Sequence, residues 1–473
     1  MTSFPIEILS LILHSLRPTF SPAASRSKRT SLAGELRPHS LKQYSQSLAI
    51  CAQLRLVDRS FYHILTPHLY SLLVIPARSQ IQQKRCRATE HHPEMIQTIL
   101  FNGIFDAYVP SERKSEVFAH LKKVLGRCTN LTHIKVDLIE HSAWAIDKTM
   151  AEVLFKDLPT KSLTSLEIWN PGVEVFAGLV EGLGRELVGG LKVLAMHGVN
   201  VDMVQRPTGQ CSNAFEGLEQ VHIMQVPFSG RPQSFLHFMA CILDVKNTEV
   251  PHLGLASQAT HPDALPTRTN QTVPHHSRLR ELTISEGPLF VNMDNNLTLF
   301  RQLLSIRNVH ESLTTLRVRL RPPRLNPGHD IPLPQFNTLP SSILELCPRV
   351  THFHFLTWFP VPFLLNIPAR IVELGVRIAE DMNNPVHQGA ALDADQAQLE
   401  TQYSRGQHPP PFPSSALHTL DPLVEVVSVP KYRKGLKRLY IEWGLKNRDV
   451  DAEGKLRDAC EEAGIEFYNG VDW

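Results

Sequence analysis

Residues 127–136 read RCTNLTHIKV and residues 346–355 read LCPRVTHFHF. Each places a cysteine three residues ahead of an apolar position and then runs apolar-x-x-apolar-x-apolar: Leu131, Ile134, Val136 in one, Val350, Phe353, Phe355 in the other. The last three positions alternate sides, as a strand requires. One such pattern is weak evidence, because leucine is common. The spacing returns as Leu163-x-x-Leu166-x-Ile168, Leu191-x-x-Leu194-x-Met196, Leu218-x-x-Val221-x-Ile223, Leu279-x-x-Leu282-x-Ile284, Leu313-x-x-Leu316-x-Val318, Ile371-x-x-Leu374-x-Val376 and Leu436-x-x-Leu439-x-Ile441, making nine copies. Successive copies start 21 to 37 residues apart, except for two gaps of 61 and 65.

Helical spacing fills several intervals. Val117, Phe118, Leu121, Val124 and Leu125 precede Gly126, and Phe176, Leu179, Val180, Leu183 and Leu187 precede Gly189. Leu297, Phe300, Leu303 and Leu304 form a third helix, and Leu456, Ala459, Cys460 and Ala463 a fourth, with Gly464 as its stop. Strands that face one way and return through a helix are parallel neighbours, and units this short bury both faces only by stacking. The expected class is therefore α/β. The repeats resemble the leucine-rich repeat of irregular, long type, which implies a solenoid with parallel strands on one face and helices on the other. Trp169, His197 and Met224 follow the strand core where that family usually has asparagine or cysteine. A doubly wound sheet is the alternative. Cys128 and Cys347 read as core filling.

The amino-terminal segment has a different character. Pro5 and Glu7 suit a first helical turn, and Ile6, Ile8, Leu9, Leu11, Ile12, Leu13 and Leu16 surround that helix. Pro18 to Ser40 reads as an exposed insertion. Leu54, Val57, Phe61 and Ile64 then recur at helical spacing, and Thr66-Pro67 cap a further helix carrying Leu69, Tyr70, Leu72 and Leu73. Pro5-x-Glu7-Ile8, Ile12-Leu13-x-x-Leu16, Leu56-Val57-x-Arg59-x-Phe61 and Pro67-x-Leu69-Tyr70 resemble the F-box, a three-helix motif that docks proteins on the Skp adaptor of cullin-RING ubiquitin ligases. The resemblance implies adaptor contacts from Phe4, Pro5, Ile8, Leu9, Ile12, Leu54, Val57, Phe61, Pro67, Leu69 and Tyr70.

The expected organisation is a helical unit over 1–75 with its insertion at about 18–40, a connector over 76–110, and the repeats over 111–473. Stretches at about 245–278, 321–340 and 380–415, rich in Pro, His, Gln and Ser, interrupt the repeats as loops.

Composition narrows the chemistry. A net charge of +2, from 48 basic and 46 acidic residues, gives no field that would call for nucleic acid or an anionic membrane. No run approaches the roughly 18 apolar residues of a membrane span. Seven widely spaced cysteines and no basic, apolar leader point to a reducing compartment, cytoplasmic or nuclear. The 23 histidines show no ligand spacing, GLGRELVGG at 182–190 lacks the lysine of a phosphate loop, and neither G-x-S-x-G nor H-E-x-x-H occurs. No cofactor or metal is expected, and no catalysis. Lys135, Glu167, His222, Arg317, His354 and Glu442 are expected to face outward from the strands. The F-box resemblance implies a substrate receptor that holds a target protein near a charged enzyme through Skp and a cullin. The alternative is a scaffold whose helices merely cap the repeats.

Overall fold

A computed structural model describes residues 49, 52–57, 59–75, 91–102, 123, 125–137, 162–169, 190–198, 217–224, 232–243, 277–288, 293–321, 339–356, 361–378, 420–443 and 450–469. The chain divides into two compact units, the first spanning residues 1–288, 298–313 and 472–473, the second 289–297 and 314–471.

The first unit contains β1 (Leu72–Ile75), β2 (Thr98–Asn102), β3 (His133–Asp137), β4 (Ser165–Trp169), β5 (Val193–His197), β6 (Gln220–Met224) and β7 (Glu281–Pro288). Each pairs with the next in chain order, always parallel. The second unit contains β8 (Thr315–Arg321), β9 (His352–Leu356), β10 (Glu373–Ile378), β11 (Arg438–Trp443) and β12 (Glu466–Asn469), paired in the same manner. The nine apolar patterns of the sequence are β3 to β11. Across the two long gaps the strands still pair directly, β6 with β7 and β10 with β11.

Helices stand ahead of β1 and between the later strands. They include α1 (Arg59–Leu69), α2 (Pro232–Leu243), α3 (Met293–Ser305), α4 (Leu339–Leu346), α5 (Val361–Leu365), α6 (Leu420–Ser428) and α7 (Val450–Glu462). The helices expected near 297–304 and 456–463 are α3 and α7, and Gly464, at φ +68°, closes α7 in a backbone conformation that disfavours side chains. Of the helix expected before Gly126 only residues 123 and 125 are described, both helical, and the one expected before Gly189 lies outside the described residues.

The register explains the x-x of the repeat. The carbonyls of Ser71, Gln97, Thr132, Thr164, Lys192 and Glu219 each accept two successive N–H groups at the entrance of the following strand, as do those of Thr314, Thr351 and Val372, at 2.8 to 3.2 Å. The apolar positions that lead into the latched strands are buried, and Leu131, Leu163, Leu191, Leu313, Val350 and Ile371 are at most 1% exposed. Leu73, Ile99, Ile134, Leu166, Leu194, Val221 and Leu282 then lie level across the first unit, and Leu316, Phe353, Leu374 and Leu439 across the second. All are buried. Burying one such side chain is worth about 1.5–3 kcal/mol, so these rows contribute substantially to the cohesion of each unit.

Two expectations near the amino terminus change. Helix α1 runs through Pro67 to Leu69, with no new helix starting at Thr66. Phe61, Leu65 and Leu69 stand four residues apart, and Phe61, Leu69 and Leu54 pack on Leu65, so one continuous stripe outweighs the N–H lost at Pro67. The helix carrying Leu54 does not continue through Val57, because residues 55–57 form a turn. Leu72 and Leu73 belong to β1 instead of a third helix, and the expected connector over 76–110 contains β2. Among the described residues the strands therefore begin at residue 72, ahead of the anticipated start at 111.

Candidate functional site

The strand positions that alternate with the core rows form a polar face in each unit. In the first, Lys135 on β3 meets Glu167 on β4 at 2.8 Å, and His197 Nε2 on β5 lies 3.7 Å from the same carboxylate. Farther along, His222 Nδ1 and the Thr283 hydroxyl are 2.9 Å apart. None of these side chains is open to solvent: Lys135, Glu167, His197, His222 and Thr283 are all under 9% exposed. Burial, with the nearby charge of Lys135 and His222, holds His197 well below its ordinary value, which keeps the imidazole neutral. Lys135, Glu167 and His222 thus leave the core face as expected, but their side chains are enclosed.

The second unit builds its polar face around Glu373 on β10. Arg438 on β11 reaches Glu373 Oε2 at 2.9 Å, His354 Nε2 on β9 reaches Oε1 at 2.8 Å, and His352 stands 3.9 Å from Oε2. Burial works to raise the Glu373 carboxyl, but the hydrogen bond from His354 and the surrounding positive charge outweigh it and hold the group below its ordinary value. Burial holds His354 down as well, so a neutral imidazole donates Nε2–H to a carboxylate. Among the described residues, no group of three or more His, Cys, Asp or Glu side chains is placed to hold a metal ion.

Glycine makes this arrangement possible. Gly375 lies between His354 and Tyr440 in the strand register, and a Cβ there would sit 2.5 Å from the His354 ring. Without it the imidazole lies across β10, and its ring comes within 5.1 Å of Tyr440 on β11. Tyr440 in turn stacks on Tyr468 of β12 at 4.5 Å and 8°. One level farther along, Arg319 on β8 crosses two strands to meet Glu442 on β11 at 2.6 Å. Arg317, His354 and Glu442, all expected outward, share this face, with His354 buried and the other two partly covered.

The amino-terminal candidates separate into two groups. Phe4, Pro5, Ile8, Leu9 and Ile12 lie outside the described residues. Leu54, Phe61 and Leu69 point inward onto Leu65. Tyr70 is also engaged internally: its ring lies 4.6 Å from that of His92, and its hydroxyl accepts from Arg55 at 3.4 Å. Val57 and Pro67 are exposed. Beside Val57, at 71% exposure, stands Leu56 at 80%, and Tyr62 is 46% exposed under the Arg55 guanidinium. Leu56 and Tyr62 were not among the residues read from sequence as contacts, because helical spacing assigns Val57 to the covered stripe and the turn at 55–57 reverses that. Glu373, Arg438, Tyr440 and Tyr468 were likewise missed. Their signal was available in the strand alternation, since each sits at a non-core position flanking an apolar one.

Cys128, Cys347 and Cys460 are buried thiols outside any disulfide, each pushed up to about 12 by burial. Core filling describes Cys128 and Cys347 correctly, and neither is a nucleophile at neutral pH. No described helix is long and apolar enough to cross a membrane. No family model matches this chain, and no curated protein matches its sequence.

Proposed function

We propose that the chain is a substrate-recognition adaptor of an SCF-type ubiquitin ligase (Skp, cullin, F-box), with its amino-terminal helices on the Skp adaptor and its strand units facing a protein substrate. The observation that carries this reading is the adjacent exposure of Leu56 and Val57, at 80% and 71%, in a turn between helical segments. Two large aliphatic side chains held in water on an ordered turn form a docking surface of the kind an apolar groove accepts. The F-box-like order of residues from Pro5 to Tyr70 supports the identity of the partner. The stacked parallel strands, latched through backbone carbonyls, support an irregular leucine-rich-repeat solenoid as the substrate-holding part. The receptor's contribution would be proximity, raising the effective concentration of a target lysine near a ubiquitin-charged enzyme.

The second reading is a scaffold unrelated to ubiquitin. The packing of Leu54, Phe61 and Leu69 on Leu65, directly ahead of β1, favours it, because a helical cap would look the same. Co-expression with a Skp adaptor separates the two. The adaptor is expected to copurify with wild type and to be lost from Leu9→Asp and Val57→Asp, with circular dichroism unchanged; undiminished recovery from both variants would overturn the ligase reading.

A further inference from the structure

At the end of the second unit, two ladders of side chains stop at the same edge. The first runs level across the strands as His352, Glu373, Arg438 and Glu466, of which the last three alternate in sign, with Arg438 2.9 Å from Glu373. The second is aromatic, His354 to Tyr440 at 5.1 Å and Tyr440 to Tyr468 at 4.5 Å. Both end on β12, where the Tyr468 hydroxyl donates to Glu466 at 2.9 Å. Both terminal side chains are exposed. A cation satisfies both: it is the next sign after Glu466, and a guanidinium stacks on the outer face of a tyrosine ring.

The backbone of β12 is available as well. Glu466 N–H donates to the Lys437 carbonyl at 2.9 Å, and the parallel register continues to Asn469. In a parallel ladder the residues between those bonded to the neighbour turn their amides the other way, so Phe467 and Asn469 direct N–H and C=O away from β11. Among the described residues no strand pairs with that side.

We infer that the free edge of β12 binds an extended, basic segment of a partner protein as an added strand, with arginines two residues apart opposite Glu466 and Tyr468. Charge selects this occupant. Over residues 450–469 the exposed charged side chains are Asp451, Asp458, Glu461, Glu462 and Glu466 against Lys455 and Arg457. A second copy meeting the same edge would bring two acidic segments together, whereas a basic strand neutralises one. The inference stands on the second unit alone and is independent of adaptor docking.

The test uses the full chain and a short fluorescein-labelled peptide alternating arginine with valine, read by fluorescence anisotropy. Saturable binding is expected, with none for the glutamate-valine counterpart and strong loss when alternate backbone nitrogens of the arginine peptide are methylated. Tyr468→Leu should weaken binding roughly three- to tenfold, in keeping with an exposed to partly desolvated cation-π contact, while Tyr468→Phe retains it. Glu466→Lys should abolish it, with an unchanged circular-dichroism spectrum certifying the fold of each variant. Equal affinity for the methylated peptide, or for the Tyr468→Leu and Glu466→Lys chains, would overturn the inference. Sedimentation showing a wild-type dimer that Glu466→Lys dissolves would assign the edge to a second copy and overturn it too.

Discussion

Lys135 with Glu167 in the first unit and Arg319 with Glu442 in the second are both ion pairs on the face away from the apolar rows, at 2.8 and 2.6 Å. Their surroundings differ. The first pair has 8% exposure on each side chain, while Arg319 and Glu442 keep 27% and 18%. Coulombic attraction is similar at such distances, but the charge left behind when a partner is removed depends on whether water can reach it. One strand pattern is therefore enclosed at Lys135 and Glu167 in the first unit, while in the second it is enclosed around His354 and Glu373 but opens to solvent toward Arg438 and Tyr468.

Truncation tests that contrast most directly. Lys135→Met, by removing the lysine cation from a buried Glu167, is expected to cost about 3–5 kcal/mol of stability, while Arg319→Met should cost about 1 kcal/mol or less, both read from urea midpoints. Adding Glu167→Leu to Lys135→Met should recover much of the first loss. Comparable costs for the two single variants would remove the distinction between the faces.

Within the second unit, Gly375→Ala forces a methyl group against the buried His354 ring. A loss of about 1–3 kcal/mol is expected, as for an overpacked core, together with reduced stacking of Tyr440 seen in near-ultraviolet dichroism. Gly375→Ala combined with His354→Ala should be less damaging than the glycine change alone. The combination would sharpen the assignment of the clash to that one ring.

Acid should affect both units. Burial is the leading cause that holds His133, His197 and His354 below the ordinary 6.5. The unfolded chain therefore takes up protons that the folded chain refuses once the pH drops below 6.5, so stability is full above that value and falls toward the folded values. The slope is at most about 1.4 kcal/mol per pH unit for each histidine. Glu373, depressed from 4.5, adds a loss at lower pH as it protonates through its folded value. Urea midpoints from about pH 7.5 to about pH 5.5 should fall, and His354→Gln should flatten the curve; a curve without slope would contradict neutral, buried imidazoles.

How legible this was in sequence varied by element. The nine patterns from Leu131 to Ile441 located their strands because each combines a lead aliphatic residue, leucine in all but Val350 and Ile371, with strict alternation. Tyr70-x-x-Leu73-x-Ile75 and Ile96-x-x-Ile99-x-Phe101 have the same form and became β1 and β2, but the first overlaps a helical signal and the second stands in a stretch read as connector. β12 has no lead leucine, because Gly464 occupies that place to end α7. Helices α2, α4 and α6 escaped because prolines and uniformly apolar runs obscured their period. The ion pairs were invisible for another reason. Lys135 and Glu167 lie 32 residues apart, and only strand register sets them side by side. Unlike residue types that look unrelated along the chain are complementary across it.

The latch at each strand entrance uses a backbone carbonyl, and the residues that supply it are serine, glutamine, threonine, lysine, glutamate and valine. Since any amino acid offers that oxygen, natural selection can rewrite the position and keep the backbone joint, giving up at Thr132 and Thr164 only the hydroxyl's added bond to the preceding latch carbonyl. Such a chain can drift far from its ancestors in letters while its architecture stands, and a whole rung, from one lead leucine to the next, is the natural unit of insertion or deletion.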